Sequence, residues 1–179
     1  MNRIAKFKKV SFEQFLKDYA DANNLELSGD NAAQNIIKIQ DIYNTLKLPK
    51  RATTGSAGYD FYAPEDITLE PGETIKIPTG IRAKMNEGWV LMLFPRSGLG
   101  FKFRMQLNNT VGIIDEDYFF SDNEGHIFAK ITNDTNEQKV INVKAGDGFI
   151  QGIYVPFGVT EDDDADGVRN GGMGSTTGV

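Results

Sequence analysis

From Arg51 nearly to its end the chain is cut into short apolar runs by turn residues, a texture that leaves little besides an antiparallel β architecture. Ile67–Leu69, Thr74–Ile77, Ile81–Lys84 and Trp89–Phe94 are separated by Glu70-Pro-Gly-Glu73, Pro78-Thr-Gly80 and Asn86-Glu-Gly88. His126–Thr132, Lys139–Val143 and Phe149–Val155 continue the series. The last of these is apolar at both parities, which predicts a strand covered on both faces near the middle of a sheet. An all-β sandwich or barrel follows. At 179 residues, 40% of them hydrophobic, one domain spanning 1–179 is expected.

The start differs. Residues 4–10 alternate as a short amphipathic strand. Ser11 with Gln14 three residues on has capping-box spacing, and Phe15, Leu16 and Tyr19 follow at helical intervals, predicting a helix over Phe12–Ala22. A second helix over Ala32–Leu46 places Ile36, Ile39, Ile42 or Tyr43, and Leu46 on one stripe. The acidic, then glycine-rich tail from Thr160 reads as a mobile end.

Charge and composition close off several functions. A formal net charge of -6 argues against a broad nucleic-acid or anionic-membrane surface. Without cysteine there is no disulfide, thiolate zinc site or cysteine nucleophile, and a single histidine, His126, removes multi-histidine metal sites. His126 itself, with no evident partner, reads as a surface or hairpin residue. No apolar run is long enough to span a bilayer, and the basic start lacks a signal-peptide core, so a cytoplasmic protein is expected.

Certain stretches carry chemistry. In Leu107–Tyr118, Asp115 and Asp117 would share one face of an extended segment, and Asn108-Asn109 with Gly112 resembles a hairpin tip whose amides can meet a ligand, though composition alone favours a solvated strand edge. Pro95-Arg96-Ser97-Gly98-Leu99-Gly100 offers a guanidinium, a hydroxyl and free amides to a phosphate, though a glycine turn with a solvent-facing Arg explains it about as well. Asp60 follows Gly58-Tyr59 at a strand start, and Gln151 is a polar residue in an apolar run that needs a partner. Glu161–Asp166 looks like a calcium loop, but Met173 stands where a bidentate Glu belongs.

In order, Ala57-Gly-Tyr-Asp60, Pro95-Arg-Ser-Gly-Leu-Gly100, the Asn109–Tyr118 stretch, Gly146-Asp-Gly-Phe-Ile-Gln151 and Arg169-Asn-Gly-Gly-Met-Gly-Ser-Thr176 resemble the motifs of the trimeric deoxyuridine triphosphatases. The resemblance covers about 51–179. It implies a β-clip or jelly-roll-like subunit, a homotrimer with shared active sites, and Mg2+-assisted hydrolysis of dUTP to dUMP and pyrophosphate. Asp115 would be the general base, and Asp60 would hold a magnesium-bound water. Ser97, Arg96, Gly98 and Gln151 would meet the phosphates nearest the sugar. Asn109 to Ile113, with Gly112 and Ile114 among the contacts, would read uracil, and Tyr118 the deoxyribose. Arg169, Gly174, Ser175 and Thr176 would close over the outer phosphates as a lid spanning 160–179, with Met173 over the base where the family usually has Phe. Two further differences are a longer loop after Tyr118 and the helical section, an insertion over 11–46 that either covers a sheet edge or contacts an unknown protein partner. The related dCTP deaminases carry a catalytic Glu three residues before an Asn; Lys130 holds that place before Asn133, which favours the hydrolase.

Overall fold

Strand β11 (Gly148–Pro156) is apolar on both faces because it lies inside a sheet, between β2 (Tyr59–Tyr62) and β6 (Trp89–Pro95), with β8 (Gly112–Ile114) beyond β6. All neighbours in this sheet are antiparallel. The computed structural model describes residues 2–171. A second sheet has the order β4 (Thr74–Pro78), β9 (Phe128–Asn133), β7 (Met105–Leu107), and two strand pairs complete the body: β1 (Ala5–Lys9) with β5 (Ile81–Met85), and β3 (Ile67–Leu69) with β10 (Ile141–Val143). One core takes side chains from every sheet, among them Phe7, Phe61, Leu91, Ile131, Ile141 and Ile150. Each such burial contributes about 1.5–3 kcal/mol. Packing is tight enough that a Cβ on Gly152 would stand 2.8 Å from Leu91 Cδ1, so a side chain there would force the two sheet neighbours apart. The all-β, jelly-roll-like expectation is met.

The helices form where the pattern places them. Helix α1 spans Phe12–Ala22 and α2 spans Ala32–Thr45, with Leu46 turning out of the helix just beyond its end. The Ser11 hydroxyl caps α1 by accepting from Gln14 N at 3.1 Å. The reciprocal half of the capping box is replaced: Ser11 N donates to Glu124 Oε2 at 2.8 Å, while Gln14 Nε2 turns to Asp18 at 2.8 Å. Phe15, Tyr19, Ala20, Ile39 and Leu46 make a second, smaller core with Val10. Helix α1 lies against β4, the edge strand of its sheet, so the helices do cover an edge. At the join, Gly80 has φ +72° and a Cβ on it would meet Leu46 Cδ1 at 2.3 Å. Glycine is required there on both counts. Among the described residues no helix is long and apolar enough to cross a membrane.

His126 is a correction. It is fully buried at this join, its Nδ1 2.6 Å from Asp18 Oδ2 and its Nε2 accepting from Gly80 N at 2.8 Å. The partner sits 108 residues away in the chain, so no local pattern reveals it.

Glu124 also stitches the helices to the body. It accepts from the Ser11 hydroxyl at 2.6 Å and lies 3.4 Å from Arg82. Burial pushes its carboxyl up, but the two Ser11 bonds and the Arg82 charge outweigh this and hold it below the ordinary 4.5. A carboxylate lowered on folding contributes stability that is fully present above its unfolded value and is lost as pH falls through its folded value. Below 4.5 the protein is therefore expected to lose denaturant resistance that Glu124→Gln lacks from the outset. Urea midpoints of both proteins across that range check this; parallel curves would remove Glu124 from the account.

Candidate active site

The Asn108–Val111 turn is not a hairpin tip, because β7 before it pairs with β9 and β8 after it pairs with β6. It crosses between sheets, with Thr110 in the left-handed region at φ +65° and Thr110 N donating to Leu107 O at 2.8 Å. A cavity of about 680 Å3 opens beside it, lined by Asn109, Gly112, Ile114, Asp115, Tyr118 and Arg169 among others. That volume suits a nucleotide-sized ligand. Gly112 lies opposite Leu93, where a Cβ would come within 3.0 Å of Leu93 Cβ, so the strand keeps its backbone close to the cavity floor.

Asp115 is extended, but Glu116–Phe120 then winds into a 3-10 turn, so the alternation expected for Asp115 and Asp117 does not hold. The two carboxylates converge by another route. Arg169 reaches from the tail, its Nη2 2.5 Å from Asp115 Oδ2 and its Nε 2.7 Å from Asp117 Oδ1. Arg169, expected over the outer phosphates as part of the tail, thus stands with the two carboxylates in this structure. Tyr118 is buried, its hydroxyl donating to His126 O at 2.7 Å and accepting from Asn123 Nδ2 at 2.8 Å. Burial raises its pKa above 10.0, so the phenol is a neutral wall rather than an acid.

The other site residues gather elsewhere. In the β2–β11 register Asp60 lies opposite Gln151. Arg96 Nε is 3.3 Å from Asp60 Oδ1, Arg96 Nη1 donates to Gly148 O at 3.2 Å, and Gln151 Nε2 to Pro95 O at 3.3 Å. The Arg96–Gly100 stretch is not an open glycine turn: it starts a short helix, α3 (Ser97–Phe103), with Arg96 at its N-cap. Leu99 N and Gly100 N turn inward onto Arg96 O, leaving the amides of Ser97 and Gly98 at the open end. A cation, a hydroxyl and two amides are thus neighbours at this helix start, groups whose chemistry suits an anion.

These two groups are far apart within one chain. Ile114 lies opposite Leu91, so Asp115 leaves β8 beside Val90, whereas Arg96 stands at the other end of β6. At about 3.3 Å per residue the gap is roughly 20 Å. Met173, Gly174, Ser175 and Thr176 lie outside the described residues.

Sequence reasoning missed Lys76, Phe128 and Lys130 as cavity walls. Lys76 and Lys130 are cross-strand partners, and their shared face follows from the period-2 alternation of β4 and β9 once that pairing is known. Among the described residues no group of three or more His, Asp or Glu side chains could hold a metal. Asp60 stands beside the Arg96 group, where a single carboxylate can accept from a metal-bound water.

Comparison with known proteins identifies the family. The dUTPase family model matches residues 44–177. The deoxyuridine 5'-triphosphate nucleotidohydrolase of Lactococcus lactis is 43% identical over 134 residues, 73% of this chain and 88% of the relative. That of Hahella chejuensis is 40% identical over 151 residues, 79% and 95% respectively. The crystal structure of dUTPase from Streptococcus mutans superposes with a TM-score of 0.57 at 41% identity, covering 64% of this chain and 88% of that one. A mutant dUTPase from phage phi11 of S. aureus, described with a structural Mg(II) ion, shares the fold at 24% identity and a TM-score of 0.55, covering 68% and 90%. The family model over most of the chain and relatives of this identity together establish that the chain belongs to the dUTPase family.

Proposed function

We infer that this dUTPase hydrolyses dUTP to dUMP and pyrophosphate, with Asp115 as the general base toward a water that attacks the α-phosphorus. The observation that carries the reading is a carboxylate in the wall of a nucleotide-sized cavity, next to strand backbone and a buried tyrosine. The amides and carbonyls from Asn109 to Ile113, with Gly112 and Ile114, read the uracil edge, where buried polar groups discriminate strongly. The Tyr118 ring packs on the deoxyribose and leaves no room for a ribose hydroxyl. Asp115 orients the water and takes its proton as the bond to phosphorus forms and the pyrophosphate oxygen leaves.

Arg96, Ser97, Gly98 and Gln151 hold the phosphates, and Asp60 would hold, through water, a Mg2+ ion bound with the triphosphate. When bound, the ion would supply neutralisation of phosphate charge. The gap of about 20 Å supports a homotrimer in which one chain's cavity is completed by another chain's Arg96 group. Arg169 exchanges Asp115 and Asp117 for phosphate oxygens when substrate binds, and with Gly174, Ser175 and Thr176 it closes the 160–179 lid, Met173 covering the base. Residues 1–179 act as one domain, and the buried join at Gly80 and His126 supports the 11–46 insertion as an integral part of it.

Pyrophosphate release with magnesium, measured for dUTP, dTTP, dCTP and UTP, tests this. Release from dUTP alone is expected. Ammonia from dCTP, or no release from dUTP, would overturn it.

A further inference from the structure

We propose that helix α1 braces the nucleoside-binding wall from outside the cavity, with Asp18 as a positioning residue that acts through His126 on Tyr118 and Phe128. This rests on the reading of the cavity as the dUTP site. Asp18 precedes the residues that the family model matches, so that match does not cover the contact.

The hydrogen bonds fix the chemistry of the link. Gly80 N–H donates to His126 Nε2 at 2.8 Å, so Nε2 carries no proton. The proton is then on Nδ1, which donates to Asp18 Oδ2 at 2.6 Å, and the same oxygen accepts from Gln14 Nε2 at 2.8 Å. The imidazole is neutral, fully buried and held in one tautomer and one orientation. The backbone carbonyl of His126 accepts from the Tyr118 hydroxyl at 2.7 Å, and the imidazole lies 4.5 Å from the Phe128 ring, centroid to centroid. Tyr118 and Phe128 both line the cavity.

A second contact from the same helix reaches the same wall. Asp21, three residues on and therefore on the same side of α1, lies 3.7 Å from Lys76 Nζ, which itself sits 4.8 Å from the Phe128 ring. Lys76 is another cavity residue. Helix α1 thus bears on three members of one wall, and only the Asp18 contact is well shielded from water, its side chain being 14% exposed against 76% for Asp21. Asp18 is the dominant strut.

Removing it leaves the buried Nδ1–H without an acceptor, so the imidazole must move to find another partner, and it moves the Phe128 ring it packs on and the His126 backbone whose carbonyl holds the Tyr118 hydroxyl. Since Tyr118 sets the room beside the sugar, the readout is selectivity. For Asp18→Ala the ratio of kcat/KM for dUTP over UTP is expected to fall about tenfold, through KM for dUTP rather than kcat. Asp18→Asn, whose Oδ1 can take the place of Oδ2, should keep the ratio within about twofold of wild type. A merely destabilising change removes folded enzyme and lowers both activities alike; an unchanged ratio in Asp18→Ala overturns the proposal.

The wild-type protein supplies a second measurement that needs no variant. The chain has one histidine, so its imidazole NMR signals identify themselves. Saturation with dUMP should shift the His126 Nδ1–H resonance, and dUMP binding without any such shift overturns the link. Absence of dUMP binding would overturn the reading of the cavity itself, and this inference with it.

Discussion

Asp115→Asn is expected to lower kcat roughly a hundred- to ten-thousandfold while leaving the affinity for a non-hydrolysable dUTP analogue nearly unchanged. The amide keeps the size and one acceptor of the carboxylate but cannot take a proton from water. Asp115 lies in the cavity wall next to Ile114, at the point where the chain leaves β8, so the substitution disturbs no core residue. Its side chain is 46% exposed, and its bond to Arg169 can be kept by the amide oxygen. A loss confined to turnover would therefore mark a base. Unchanged turnover would remove Asp115 from that role, and a parallel loss of analogue binding would mark it as a substrate-holding group instead.

The second large effect concerns assembly. Arg96→Ala is expected to lower kcat/KM roughly ten- to a hundredfold, because a charge-assisted contact to phosphate is lost. If each site takes Asp115 from one chain and the Arg96 group from another, co-refolding equal amounts of Asp115→Asn and Arg96→Ala chains should restore about one quarter of wild-type sites. That fraction is the chance that both contributing chains bring their intact half. If one chain supplied both groups, every site would carry a defect and mixing would restore nothing. The distance of about 20 Å along β6 between the two groups is the reason to expect recovery.

Local features of the sequence were the legible ones. Helix α1 matches the expected Phe12–Ala22 because its cap and its apolar spacing both lie within a few residues. The strands were legible from short apolar runs between turn residues, and the central position of β11 from its two apolar faces. The 3-10 turn after Asp115 was not, since Glu116-Asp-Tyr-Phe-Phe120 has neither clear alternation nor a helical period. Helix α3 was hidden by Gly98 and Gly100, which have poor helix propensity. The crossing of Asn108–Val111 between sheets depends on which strands pair, and the burial of His126 on a helix from the other end of the chain. Both are tertiary facts without a local signature.

For the site itself, the residue types announced their chemistry, whereas their grouping came from strand register. Gln151 lies opposite Asp60 and bonds to Pro95 O, next to Arg96, because β11 runs beside both β2 and β6. Arg169 joins Asp115 and Asp117 through a contact that motif order alone did not indicate.

The most direct test of the central claim is to hydrolyse dUTP in water enriched in oxygen-18 and find which product carries the label. Attack by an Asp115-activated water on the α-phosphorus puts the label in dUMP and none in pyrophosphate. Label in the pyrophosphate would place the attack on the β-phosphorus and contradict the account.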